Sequence, residues 1–240
     1  MDKSFIEKIE SLALEADTKM IGDVMFARES YRPILPQHIE TVEMSTLESL
    51  TDFIKENPQK LDLENAIITI LPDFNVRLLG KVNPVDLKRT VYAEVSPYAS
   101  EGFHFGRTLD VEDFIIALKT KFVHSFDWEK VFMVVKKIRI QDGVEIEDNG
   151  MTQKVTLQKG VSAASIETES IKTDYVLAPN RIYTECVQPE SIFFLRISGN
   201  KEKGVYVSLH ETDGGDWKKK AAQNIKKYLL DAGITLPIYM

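Results

Sequence analysis

Two glycines followed closely by three lysines form the stretch of this chain whose residue types best suit an anion. The stretch reads LHETDGGDWKKKAA. A glycine turn that leads into a helix can present backbone amides to a phosphate, because the first amides of a helix have no partners within it. Gly214, Gly215, Lys218, Lys219 and Lys220 are therefore candidate binding residues for the phosphate of a nucleotide or a nucleic acid.

Acidic residues in the same turn favour a different interpretation. Asp213 and Asp216 would repel a phosphate, whereas carboxylates at the start of a helix satisfy its free amides and interact well with its dipole. The turn also lacks the spacing of a phosphate-binding loop or of a dinucleotide-binding glycine motif. The main interpretation is therefore a structural turn that starts a helix.

The two acids also allow a third interpretation, a site for a hard cation. Mg²⁺ and Ca²⁺ prefer clustered carboxylate oxygens, so Asp213 and Asp216 are candidate ligands, with His210 close by in sequence. A cation held there would support a metal-dependent phosphoesterase. The acids do not have the spacing of an EF-hand loop.

Residues that could act in covalent or acid–base catalysis do not form a known pattern. The four histidines are scattered and have neither HExxH nor Cys–His metal spacing. Cys186 is the only cysteine and is predicted to be a small buried residue. Ser191 lacks the GxSxG pattern of a nucleophile. The sequence predicts no catalytic residue and no cofactor, and it favours a non-catalytic protein.

Charge and composition limit the partners. The chain has 240 residues, a net charge of -7, 43% hydrophobic and 28% charged residues, which is typical of a soluble globular protein. An acidic protein repels the phosphate backbone, so general coating of duplex DNA is disfavoured. No apolar run approaches the roughly 20 residues that span a bilayer, and the N-terminal residues do not resemble a signal peptide. We predict a cytoplasmic protein without a membrane partner.

Capping signals and apolar periodicity predict the helices. Ser4 and Glu7 have capping-box spacing, and a first helix is predicted to run from there to Gly22. A second capping box at Ser45 and Glu48 starts another helix. Further helices are predicted after Asp110, at the start of DWEKVFMVVKKIRI and over WKKKAAQNIKKYL. The first helix would bury Ile6, Ile9, Leu12, Ala13, Ala16 and Met20.

Alternating apolar residues predict strands between these helices. AIITILPDFNVRLLGKV contains two strands joined by a turn, and the β-branched end of DWEKVFMVVKKIRI favours a strand. The segment VSAASIETESIKTD is small and polar and is predicted to be a loop or an exposed arm. Further strands are predicted in RTVYAEVSP, MTQKVTLQKG, SIFFLRIS and GVYVSLHE and around Ile182–Tyr183.

Helices and strands mix without regular alternation, which predicts an α+β fold with a mostly antiparallel sheet and four to five helices. Residues 1–240 are predicted to form a single domain. Two lobes, near 1–125 and 126–240, are the alternative. A homo-oligomer is predicted from the edge-strand candidates and from the polar arm near residues 162–174.

Three segments after residue 147 carry a family resemblance: DNGMTQKVTLQKG, APNRIYTECVQPESIFFLRI and ETDGGDWKKKAAQNIKKYL. Together they resemble an uncharacterised phage and prophage family, domain of unknown function 2303, over residues 147–230. STLESLTDFIKEN and LDVEDFIIALKTKF resemble its two earlier helices. The chain departs from the family pattern at Tyr183–Thr184, where a second aromatic is usual, and at Asp216, where a small residue is usual.

The resemblance implies a protein that acts in bacterial cytoplasm during phage growth, encoded near recombination and replication genes. It favours a non-catalytic binding or scaffolding role in phage DNA metabolism. One alternative is an anti-defence protein that sequesters a host nucleotide signal or protein, and another is the metal-dependent phosphoesterase. The corresponding partners are single-stranded DNA, a nucleotide, or a phage or host protein.

Overall fold

The computed structural model describes residues 3–22, 24–27, 32–33, 39–84, 86–98, 102–139, 143–148, 153–158, 166–200 and 204–240. Its helices are α1 (Lys3–Asp17), α2 (Leu47–Glu56), α3 (Val111–Lys121), α4 (Phe126–Arg139) and α5 (Trp217–Asp231). None of these described helices is long and apolar enough to cross a membrane.

The strands form four sheets, most of whose pairings are antiparallel, so the predicted α+β fold is confirmed. In chain order the strands are β1 (Thr18–Ile21), β2 (Val24–Ala27), β3 (Arg32–Pro33), β4 (Val42–Met44), β5 (Ile67–Ile70), β6 (Val76–Val82), β7 (Arg89–Val95), β8 (Leu109–Asp110), β9 (Gly143–Asp148), β10 (Gln153–Gln158), β11 (Ile166–Ile171), β12 (Asp174–Leu177), β13 (Ser191–Asn200), β14 (Gly204–Glu211) and β15 (Ile238–Tyr239).

The largest sheet has the strand order β15-β5-β6-β7-β4 and supports the first of two apolar cores. Strands β5, β6 and β7 pair antiparallel, while β15 and β4 add parallel edges. Residues alternate along β6, so that Val76 and Leu78 are fully buried. The first core, as we call it, also contains Leu47 and Leu50 of α2, Ala221, Ile225 and Leu229 of α5, and the loop residues Ile182, Tyr183 and Cys186.

A second sheet, β12-β13-β14-β8, supports the second core together with α3 and α4. Asp110 starts α3 as predicted, because its carboxylate accepts a hydrogen bond from the amide of Asp113 at 2.8 Å. The second core contains Phe103, Phe114, Leu118 and Phe122, Trp128, Val131, Val135 and Ile138 of α4, and Phe193, Leu195, Val207 and Leu209 of the sheet.

The two remaining sheets are smaller. One has the order β1-β2-β3 and follows α1, and the other is the antiparallel arrangement β11-β10-β9. The prediction of a loop or an exposed arm for VSAASIETESIKTD is thus partly wrong, since residues 166–171 form β11 and pair with β10. Residues 161–165 of that segment lie outside the described residues.

The prediction for the first helix is also wrong in two respects. The helix ends at Asp17, and Met20 belongs to β1, which turns at Gly22 (φ 61°) to pair with β2. The apolar residues that were expected to be buried are instead exposed wherever the structure describes their side chains. They are Ile6, Ile9, Leu12 and Met20. No described part of this chain covers that face of α1.

Three further local predictions are corrected. Thr46, rather than Ser45, caps α2, because its extended backbone lets the hydroxyl accept from the amide of Ser49 at 3.2 Å. The whole of α4 is helical to Arg139, since burial of one face outweighs the β-propensity of its valines. Ile182 and Tyr183 lie in a loop and not in a strand.

The two cores do not divide the chain near residue 125. Phe122 and Trp128, on either side of that position, belong to the same core. The first core takes residues from three separate parts of the chain, 47–95, 182–186 and 221–238. The second takes residues 103–138 and 175–209. The chain therefore passes repeatedly from one core to the other.

Candidate ligand-binding cavity

A cavity of about 1240 Å³ lies where residues from the two cores meet. Five parts of the chain line it: the residues that precede α2, Tyr98 after β7, the end of α3 with the turn that leads to α4, the loop 178–190, and the first half of α5. Cavities at the junction of packed units, with a few polar groups in the wall, are where proteins commonly bind small molecules. The loop 178–190 supplies half of this wall and fixes its shape.

Tyr183 attaches this loop to the first core. Its hydroxyl lies 2.7 Å from the carbonyl oxygen of Val95 and 3.0 Å from that of Phe74, and it can donate to either. The ring is 2% exposed, and burial raises the pKa of Tyr183 above its ordinary value. The phenol therefore stays protonated and remains a donor.

Gln188 holds the loop together from within. Its side-chain oxygen accepts from the amides of Arg181 (2.8 Å) and Ile182 (3.2 Å), and its nitrogen donates to the carbonyls of Tyr183 (3.0 Å) and Cys186 (3.3 Å). A buried loop needs such partners because its amides have no strand or helix to satisfy them. Gln188 belongs to the segment APNRIYTECVQPESIFFLRI, which carries the predicted resemblance, and its role there is structural.

Arg181 attaches the loop to the second core and to α5. Its guanidinium donates to Glu211 at 2.6 Å and to Ser191 at 3.1 Å. It lies 4.1 Å from the ring centre of Trp217 and 4.9 Å from that of Phe105. Burial lowers the pKa of Arg181, while Glu211 acts in the opposite direction. The guanidinium of Arg181 is therefore engaged in contacts that hold the fold together, although the residue also lines the cavity.

Two lysines in the wall have amines that are less engaged. Lys121, the last residue of α3, is half-buried and forms no ion pair with any residue in the described parts of the chain. Lys220 pairs only with Asp216, at 3.3 Å, and both side chains are more than half exposed. Such an exposed ion pair contributes little to stability, so another anion can replace Asp216 as the partner of Lys220.

The wall of the cavity has one more basic than acidic residue, and two of its three cations, Arg181 and Lys220, have acidic partners outside the wall. Its wall contains the cations Lys121, Arg181 and Lys220 and the acids Glu185 and Glu190. Glu185 is itself engaged, because its carboxylate accepts from the amide of Leu47 at the start of α2 at 2.9 Å. The wall therefore favours an anionic ligand, in contrast to the net charge of -7 of the chain.

Two residues that precede α4, His124 and Ser125, also belong to the cavity wall. The hydroxyl of Ser125 accepts from the amide of Trp128 at 3.3 Å, and the His124 ring packs on Trp128 with 3.9 Å between ring centres. The amino end of a helix carries a partial positive charge, which favours a nearby anion.

The Gly-Gly turn of the sequence analysis lies outside the cavity wall. Gly214 and Gly215 have φ values of 64° and 89°, and the amide of Gly215 donates to the carboxylate of Asp213 at 3.0 Å. This amide is therefore already used, which favours the structural interpretation of the turn. Of the predicted lysines, only Lys220 lines the cavity, whereas Lys218 and Lys219 are exposed on α5.

The candidate metal ligands do not form a cluster in the described residues. Asp216 forms an ion pair with Lys220, and Asp213 accepts a hydrogen bond from the amide of Gly215. The second carboxylate oxygen of Asp213 is buried and has no hydrogen-bond donor among the described residues. His210 bonds to Ser208 at 3.1 Å. No group of three or more His, Cys, Asp or Glu residues in the described ranges could hold a metal ion.

Cys186 is the only residue of the cavity wall with a nucleophilic thiol. Burial raises its pKa to about 12, so the thiol is protonated at neutral pH and is a poor nucleophile. The cavity wall thus offers hydrogen bonds and charges for binding.

No sequence motif marks Lys121, Tyr98, Asn180 or Gln223 as members of a site. They come from separate parts of the chain, so no spacing connects them. The nearest signal was the resemblance itself, since APNRIYTECVQPES contains most of the loop that forms the wall.

Comparison with known proteins adds no relative, because no family model, curated protein or solved structure matches this chain. The resemblance to the phage and prophage family therefore stays a prediction.

Proposed function

We propose that this protein is a non-catalytic binding protein that holds a small anionic molecule in the cavity between its two cores. The observation that carries the proposal is the pair of available amines, Lys121 and Lys220, in the wall of a 1240 Å³ cavity. Asn180 and Gln223 add neutral hydrogen-bonding groups to that wall. Such groups fix the orientation of a polar ligand once charge has attracted it.

The resemblance suggests where such binding would be used. A phage or prophage accessory protein in the bacterial cytoplasm would act in DNA metabolism, or would sequester a host nucleotide signal. The cavity gives more support to a small molecule than to a DNA strand, because Lys218 and Lys219 lie outside it. The proposal also includes a phage or host protein as a partner of this binding protein.

Calorimetric titration with six probes tests the proposal. They are inorganic pyrophosphate, ribose 5-phosphate and the four common ribonucleoside 5′-monophosphates. Replacing both amines, Lys121→Gln with Lys220→Gln, is expected to weaken binding of any of them at least about tenfold, since two charge-assisted hydrogen bonds are lost. The matched control, Lys218→Gln with Lys219→Gln, changes the net charge equally but leaves the cavity wall intact. If no probe binds the wild type, or if both double variants lose equal affinity, the proposal is wrong.

The exposed apolar face of α1 supports a homo-oligomer as part of the same proposal. Phe5, Ile9 and Leu12 follow each other at intervals of four and three residues, and each is at least half exposed. The first half of the helix contains both of its lysines, and its second half contains three acids and no base. Antiparallel pairing of α1 from two copies therefore brings opposite charges together and covers the apolar face.

Light scattering coupled to size exclusion tests the oligomer. We expect the wild type to exceed the 27.3 kDa of one chain and Ile9→Lys to return it to that mass, because the new charge lies in the paired face. Ser11→Lys adds the same charge on the opposite side of the helix and should keep the larger mass. A wild type of 27.3 kDa at every concentration would contradict self-association through α1.

A further inference from the structure

We infer that Tyr98 is a stacking platform at the edge of the cavity and that the ligand is therefore a nucleotide, with a flat base as well as an anionic group. The inference rests on the proposed function, since it names the class of molecule held in the same cavity. It assigns a role to a residue that no sequence motif identifies.

Tyr98 combines exposure with a place in the cavity wall. Its side chain is 85% exposed, more than that of any other large apolar or aromatic residue in the described ranges, and it lines the cavity. It follows β7, where the amide of Ser96 donates to the carbonyl of Met44 at 3.0 Å. This bond keeps the chain before Tyr98 beside Ser45 and Thr46, which belong to the same wall.

The ring of Tyr98 has no partner among the described residues. The two other ring-bearing residues of the wall are already engaged, since His124 packs on Trp128 and Tyr183 is buried in the first core. A tyrosine left this exposed keeps its apolar faces in water, and covering one face with a flat ring is favourable. Nucleic-acid bases stack on such rings whatever their sequence, because every base has a π-face.

The rest of the wall matches the other parts of a nucleotide. Lys121 and Lys220 suit a phosphate, because a flexible amine acts as a point charge that adapts to the position of the anion. Asn180 and Gln223 carry both donors and acceptors, which is what the edge of a base requires. A simple inorganic anion would use only the lysines and would leave Tyr98 and the amides without a role.

Comparison of ribose 5-phosphate with the four ribonucleoside 5′-monophosphates isolates the contribution of the base. Affinities are measured by calorimetry for the wild type, Tyr98→Ala, Tyr98→Phe and the control Tyr206→Ala, which removes an exposed tyrosine from outside the cavity. We expect at least one nucleotide to bind more tightly than ribose 5-phosphate. Tyr98→Ala should weaken that nucleotide about tenfold, as expected for loss of a stacked base, and should change ribose 5-phosphate less than twofold.

Retention of affinity in Tyr98→Phe is expected as well, because phenylalanine keeps the ring. Equal affinity for ribose 5-phosphate and every nucleotide, or equal losses in Tyr98→Ala and Tyr206→Ala, would overturn the inference while leaving the anion-binding function intact. Absence of binding for all probes would overturn both. The role of Tyr98 would also be rejected if a nucleotide binds tightly, Lys121→Gln with Lys220→Gln weakens its binding, and Tyr98→Ala does not.

Discussion

Gly214 shows how one residue can be required for conformation without taking part in binding. Its φ of 64° lies in the left-handed region, and nothing lies within 4 Å of the position that a Cβ would occupy. Gly214→Ala is therefore expected to lower the free energy of unfolding by about 1 kcal/mol through backbone strain alone. Gly102 has equally open surroundings without a left-handed φ, so Gly102→Ala should be neutral or slightly stabilising. Urea denaturation of the two variants, read by fluorescence, compares them; equal midpoints would show that φ has no cost at Gly214.

Other residues explain why only parts of the site could be predicted. Cys186 was expected to be buried, and Asp110 to cap a helix, from their own neighbours in the chain, and both predictions are confirmed. Lys121 and Tyr98 gave no such signal. Their importance depends on which other side chains face them, which short-range patterns do not encode.

At the scale of elements, α4 and β12 are joined by one charged hydrogen bond. The carboxylate of Asp127, near the start of α4, accepts from the amide of Val176 in the edge strand β12 at 2.9 Å. It also accepts from Lys130 at 3.1 Å. The bond from Val176 is the main reason why the pKa of Asp127 lies below its ordinary value, and Lys130 lowers it further.

This depressed pKa gives a pH-dependent contribution to stability. The contribution is present above pH 3.8, the ordinary pKa of the group, and is lost as the pH falls further through the lower pKa of the folded state. Asp127→Ala is expected to cost about 2 kcal/mol at pH 7, in the range for a hydrogen bond to a charged group. The difference from wild type should shrink between about pH 4 and 2.

Urea denaturation at pH 7, 4 and 2 measures that difference. Asp174→Ala removes an exposed carboxylate from the same strand and is the control, with little effect expected at any of these pH values. A cost for Asp127→Ala that stays constant from pH 7 to pH 2 would contradict the role of the ionised carboxylate.

Elements whose signals are local were predicted well. The β5–β6 hairpin follows from its own turn residues, and α5 from the spacing of Ala221, Ile225 and Leu229. The end of α4 was predicted wrongly because its valines favour a strand by themselves and become helical only through burial in the second core. The parallel pairing of β15 with β5 was not predicted, since the two strands come from distant parts of the chain.

At the scale of the whole molecule, segments that carry the family resemblance meet in space. Arg181 comes from APNRIYTE, Ser191 from the end of QPES, and Glu211 and Trp217 from ETDGGDW. Ser191, Glu211 and Trp217 all contact the Arg181 guanidinium. The segments quoted for the predicted resemblance therefore build the architecture that shapes the cavity.

The position of Arg181 has a mechanical consequence. The chain passes between the two cores at 95–103, 177–182, 186–193 and 209–217, and each of the last three passages contributes a side chain to the cluster around Arg181. Because Ser191, Glu211 and Trp217 all contact the same guanidinium, a force that separates the two cores has to break these contacts together rather than one after another. The contacts of the Arg181 guanidinium thus maintain the distance between the parts of the cavity wall that come from the two cores.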